Sequence, residues 1–189
     1  MIAPAPTVVA PVARRLRLRL PATVAAAALL GVAAGGIAWT TSSHSRPAAI
    51  ALPQLHGVAS WDPGARPAPA FRIRGTAGVE PLSVLRGRPV VVAFDPPGCT
   101  AACTSMRSLL RQIVARLAPA ERPVVVTVGG AGALTAVSPA AVLARFSVTG
   151  STPLVYLLDR SGDERTGYLF PFAPAFVQGD LRTLAEEGR

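Results

Sequence analysis

The sequence predicts an α/β domain, a central mixed sheet flanked by helices, after an N-terminal transmembrane helix. Three patterns predict it. Two apolar runs of strand length, residues 89–94 and 123–128, are separated by residues 105–117. There Met106, Leu109, Leu110, Ile113, Val114 and Leu117 fall three and four apart, one apolar helical face. Strand, helix and strand in that order imply a parallel pair with a right-handed crossover. Residues 154–158 and 165–170 flank the turn Asp159-Arg160-Ser161-Gly162-Asp163, which adds antiparallel strands at one edge.

Ahead of this domain, Arg14, Arg15, Arg17 and Arg19 form a basic cluster, and residues 20–40 run 21 positions without a charge. At about 1.5 Å per residue, such a helix spans a bilayer core of about 30 Å. Arginines stay on the cytoplasmic side, so residues 1–19 are expected in the cytoplasm and the C-terminal bulk outside it. The apolar run is an uncleaved single-pass anchor or a signal cut near Gly36-Ile37-Ala38. Residues 41–69, rich in Ser, Pro, Ala and Gly, read as a linker, and residues 70–189 as the folded domain.

Inside the domain, residues 70–74 alternate as a short strand, residues 75–80 read as a turn, and residues 82–87 as one helical turn closed by glycine. Gly129-Gly130-Ala131-Gly132 lacks the Lys and Ser/Thr of a phosphate loop and reads as a plain turn. Ser138 is placed to N-cap a helix running to Phe146. Pro153 opens the third apolar strand, and residues 173–187 close the chain as a helix.

The chemistry is concentrated at Cys99 and Cys103, the two cysteines of the chain, in Asp95-Pro96-Pro97-Gly98-Cys99-Thr100-Ala101-Ala102-Cys103. They stand where a buried strand turns into a helix. A helix N-terminus carries partial positive charge and free N–H groups, which stabilise a thiolate. Thiolate attacks disulfides and binds soft metals. Cys99 is expected to be the more exposed, attacking thiol, and Cys103, one turn in, the resolving one. A disulfide that merely staples the loop is the competing reading, weakened because a loop this short gains little entropic stabilisation.

Composition excludes other classes. The chain holds 19 arginines and no lysine. Beyond residue 47, fourteen arginines stand against ten acids, a surplus of four spread along the chain without interleaved aromatics. That pattern argues against nucleic-acid binding. An even pair of cysteines outside the cytoplasm permits a disulfide. Trp61, Met106 and Tyr156 read as packing residues. His56, alone in a Pro/Gly-rich segment, reads as solvated or locally packed before it reads as a ligand.

The order of elements and the cysteine pair resemble a thioredoxin-like domain over roughly residues 65–189. Residues 89–94 with a cysteine pair at a helix start look like the family's active-site loop. Val148-Thr149-Gly150-Ser151-Thr152-Pro153 before Leu154 resembles its cis-proline loop. The resemblance implies a cis bond at Pro153, facing the cysteines, with Thr152 offering backbone pairing to a partner peptide.

A narrower likeness lies in the CxxxC spacing, in Leu55-His56-Gly57, in Pro67-Ala68-Pro69-Ala70-Phe71 and in residues 163–172. These resemble actinobacterial members of the SCO/SenC family, membrane-anchored proteins that deliver copper to cytochrome c oxidase. That family holds copper with two cysteines and a histidine just before the last central strand. The corresponding position falls at or near Ser151, and no histidine stands there.

Two functions follow as expectations. One is thiol–disulfide exchange through Cys99 and Cys103 with extracytoplasmic thiol or disulfide proteins, needing no cofactor. The other is carriage of Cu(I) on both thiolates during cytochrome c oxidase assembly, since soft thiolates suit Cu(I).

Overall fold

The structure is a computed structural model and describes residues 54–187. The basic cluster and the apolar run at 20–40 lie outside the described residues. Among the described residues, no helix is long and apolar enough to cross a membrane.

Eight strands form one sheet: β1 (Ala59–Ser60), β2 (Arg72–Gly75), β3 (Gly78–Pro81), β4 (Val90–Phe94), β5 (Val124–Val128), β6 (Leu134–Ala136), β7 (Leu154–Leu158) and β8 (Glu164–Leu169). Their order across the sheet is β1-β8-β7-β4-β5-β6-β2-β3. β4 and β5 are parallel with Val90 opposite Val124, as the helical crossover between them requires. β7 and β8 run antiparallel beside β4, as the turn at Asp159 implies. The Asp159 carboxylate holds that turn, accepting the N–H of Ser161 at 2.9 Å and of Asp163 at 3.0 Å.

Three helices cover the sheet: α1 (Thr100–Ala115), α2 (Pro139–Arg145) and α3 (Pro174–Glu186). Successive side chains of a strand point to opposite faces. Val91 and Ala93 of β4 therefore meet Met106, Leu110 and Ile113 of α1 and Leu181 of α3. Val90, Val92 and Phe94 meet Val142 of α2, Phe146 and the β2 residue Ile73. Both faces of β4 are buried, which is why it reads as a continuous apolar run.

Three expectations need correction. The linker does not reach residue 69: β1 pairs Ala59 with Gly167 on β8, and Pro67 bridges Asp163. Residues 54–69 are a strap along the sheet edge, held by side chains that a Pro/Gly-rich composition hides. Arg66 sits 4.3 Å over the Trp61 ring and 2.9 Å from Glu164 Oε2. Residues 75–80 are not all turn: β2 and β3 pair as a hairpin in which Gly78 takes φ 119°. Ser138 stands at the N-cap of α2 but its side chain makes no capping bond.

Glu164 is fully buried, and its pairing with Arg66 has ion-pair distance without hydrogen-bond geometry at either carboxyl oxygen. Burial pushes its carboxyl above the ordinary range, and Arg66 only partly opposes this.

Candidate functional site

β4 ends at Phe94, and the next residues lift the chain off the sheet. Cys99 closes a turn by donating its N–H to the Pro96 carbonyl at 3.3 Å, with Gly98 at φ 86°, a conformation glycine adopts without strain. α1 begins immediately after. Cys99 is its N-cap, and the Cys103 N–H donates to the Cys99 carbonyl at 2.8 Å, the first full helical bond. The helix thus starts five residues earlier than the apolar periodicity indicates, and Cys103 belongs to it.

The two cysteines are joined as a disulfide, with Cα atoms 5.5 Å apart. Cys99 is 8% exposed and Cys103 2%, so the expected order of accessibility holds. No side chain caps the first turn of α1, and no acid stands in it. Its N–H groups and the positive end of the helix dipole are left to a thiolate at Cys99 once the disulfide opens.

Cys99 and, more deeply set, Cys103 line a cleft of about 630 Å³ whose far wall is the Gly129–Gly130–Ala131 loop with Pro139, Ala140 and Leu143. Beneath it lies a group that sequence patterning does not reveal. The Asp95 side chain is 5% exposed and is ion-paired with Arg107 of α1, one turn beyond Cys103. The second carboxylate oxygen, Oδ1, is buried without a hydrogen-bond partner. The glycines after β5 make room for this pair. A Cβ on Gly130 would stand 1.8 Å from Asp95 Oδ2, and one on Gly129 would stand 2.4 Å from the Asp95 carbonyl oxygen. The expected plain turn is a close-approach site. An acid directly after a buried strand, with an arginine at i+12 and a double glycine after the next strand, is the available signal.

The fold is similar to that of solved structures. A candidate electron transfer protein from Aquifex aeolicus VF5 superposes with TM-score 0.51 at 16% identity, over 65% of this chain and 94% of that one. A candidate thiol:disulfide interchange protein DsbE from Chlorobium tepidum gives 0.50 at 24% identity, over 69% of this chain and 99% of that one. The fold is thioredoxin-like. ScoI of Bradyrhizobium japonicum, in a structure with copper bound, is also similar, with TM-score 0.44 at 15% identity over 61% of this chain and 98% of that one. At these identities the likeness is one of fold. No family model and no curated protein matches the chain.

Two expectations concern the loop before β7. The loop before β7 does abut the cysteine loop: Ser151 Cβ is 3.8 Å from where a Cβ on Gly98 would be. Neither Thr152 nor Pro153, however, lines the cleft. Nor is the bond before Pro153 cis; among the described residues the cis peptide is Phe170–Pro171. Pro153 is an ordinary strand-opening proline, buried, its carbonyl accepting the Phe170 N–H at 2.9 Å.

His56 is engaged elsewhere. Its N–H donates to Asp180 Oδ2 at 2.8 Å, its ring Nδ1 lies 2.7 Å from Asp180 Oδ1, and it stacks on Phe176 at 4.8 Å. Tyr168 donates its hydroxyl to the same carboxylate, and burial together with Asp180 pushes its phenol far above the usual range. Among the described residues, no three His, Cys, Asp or Glu side chains gather as a metal-binding group.

Proposed function

We propose that the chain is a membrane-tethered thiol–disulfide exchange protein whose thioredoxin-like domain works outside the cytoplasm. The observation that carries this is the Cys99–Cys103 disulfide at the uncapped start of α1, lining a cleft in which Cys99 is the less buried sulfur. The charge-free run at 20–40 after four arginines supports the tether and the orientation.

The exchange balances as follows. A partner thiolate attacks Cys99 Sγ, the Cys99–Cys103 bond breaks, and Cys103 leaves as a thiolate that takes up a proton. The partner's second thiol gives up a proton and attacks its own sulfur in the mixed disulfide, releasing Cys99. Two electrons and one proton have passed to this chain, whose Cys99 is left as a thiolate at the start of α1, and the partner is oxidised. The reverse sequence reduces a partner disulfide. The partners are extracytoplasmic proteins with exposed cysteine pairs.

Carriage of Cu(I) toward cytochrome c oxidase is less well supported. Two thiolates can hold Cu(I), but Ser151 stands beside the cysteine loop, near the position where the copper-delivery family has a histidine, and His56 is held by Asp180.

Trapping distinguishes the roles of the two thiols. Full-length Cys103→Ser, incubated with a peptide disulfide, is expected to hold a stable mixed disulfide at Cys99 by mass spectrometry. Cys99→Ser is expected to trap less, because Cys103 is the more deeply buried of the two, 2% exposed against 8%. Equal trapping by both variants, or by neither, contradicts the proposal. So does tight one-to-one Cu(I) binding by the reduced wild type that is lost in either variant, with no exchange.

A further inference from the structure

The eight-stranded sheet is wider than its roof. α1 and α3 cover β8, β7 and β4 on one face, and the cover gives out over β5, where Val125 is only partly buried against the core. Behind α1 this leaves a hollow of about 470 Å³, within the size range of small-molecule sites. Ala93, Val125 and Thr127 floor it, and Leu110 and Val114 of α1 wall it. It adjoins the cysteine cleft, sharing Arg107 and Ala131, but neither cysteine lines it.

Its charge is one-sided. Arg107, Arg111 and Arg122 line it, and no Asp or Glu does. Arg107 is neutralised by Asp95. Arg122 donates Nε to the Leu117 carbonyl at 3.1 Å, which leaves its charge unopposed. The neighbouring Glu121 carboxylate is turned to Arg182, 3.6 Å away. Arg111 is exposed, and among the described residues it makes neither hydrogen bond nor ion pair.

We propose that this hollow binds a small organic acid with an apolar body. The carboxylate lies at the rim against Arg111 and Arg122, whose guanidinium groups match its two oxygens. The hydrocarbon portion packs on Leu110, Val114 and Val125, where removal from water drives binding. An amine of the same shape is repelled by the rim. A neutral analogue keeps the apolar contact and loses the ion pair. This binding does not depend on the cysteines and stands or falls separately from the exchange reaction.

Phenylbutyrate is a suitable probe. Isothermal titration of the full-length chain in phosphatidylcholine nanodiscs, with empty nanodiscs as blank, is expected to show saturable one-to-one binding. Phenylbutanol is expected to bind about tenfold more weakly and phenylbutylamine not at all. Arg111→Glu, an exposed substitution, is expected to weaken phenylbutyrate by about tenfold or more. Ala133→Trp, at an exposed position on the wall, is expected to abolish binding with Tm unchanged. Heat equal to the blank, equal affinity for acid and amine, or undiminished binding in either variant overturns the proposal.

Discussion

Asp95 and Arg107 form an ion pair directly beneath the cysteine loop, tying the end of β4 to the second turn of α1. The pair fixes where α1 starts relative to the sheet, and therefore where Cys99 points. The backbone joins in, as the Asp95 N–H donates to the Val128 carbonyl at 2.8 Å.

Arg107→Ala strands a buried carboxylate. Breaking a fully buried pair costs about 3–5 kcal/mol, and the cost here is expected nearer 2 because the Arg107 side chain keeps 24% exposure. Urea unfolding measures it. Asp95→Asn in the Arg107→Ala background is expected to recover part of the loss. A single variant as stable as wild type contradicts the role assigned to the pair.

Glycine substitutions report on the same contact. Gly130→Ala places a methyl 1.8 Å from Asp95 Oδ2 and 2.8 Å from Arg107 Nη1, so the pair must separate and stability falls by about 1–3 kcal/mol. Gly179 lies inside α3, where an added Cβ would meet nothing within 4 Å. Gly179→Ala is expected to stabilise by about 0.5–1 kcal/mol. Thermal melts of the two variants should move in opposite directions.

Glu164 gives the stability a pH dependence of defined sign. Its carboxyl titrates above 4.5 in the folded chain because burial disfavours the anion. Between 4.5 and that raised value the folded state binds more protons than the unfolded one, so stability falls as pH rises through the window. Glu164→Gln removes this contribution. The Tm of wild type minus that of Glu164→Gln is expected to decline from pH 4.5 toward neutrality; a rising difference contradicts the assignment.

Much of this is legible in the sequence because strong periodicity survives folding. The runs at 89–94, 123–128 and 154–158 form β4, β5 and β7, and the spacing of Met106, Leu110 and Ile113 locates the buried face of α1. What escapes has physical causes. β6 pairs two residues with β5 and two with β2, too little to leave a pattern. The strap at 54–69 is held by Arg66 on Trp61 and Glu164, contacts that include residues far apart in sequence. The Asp95–Arg107 pair joins two elements through side chains alone. The expected cis bond at Pro153 rests on family resemblance and not on local residues, and the local residues support only a strand start.

The most direct test of a reactive Cys99–Cys103 pair is its reduction potential, read from thiol alkylation of the full-length chain equilibrated in glutathione buffers. The account predicts a two-electron transition between about −270 and −120 mV, the span of exchange proteins. A disulfide that stays closed to potentials below about −300 mV, as structural disulfides do, would contradict it.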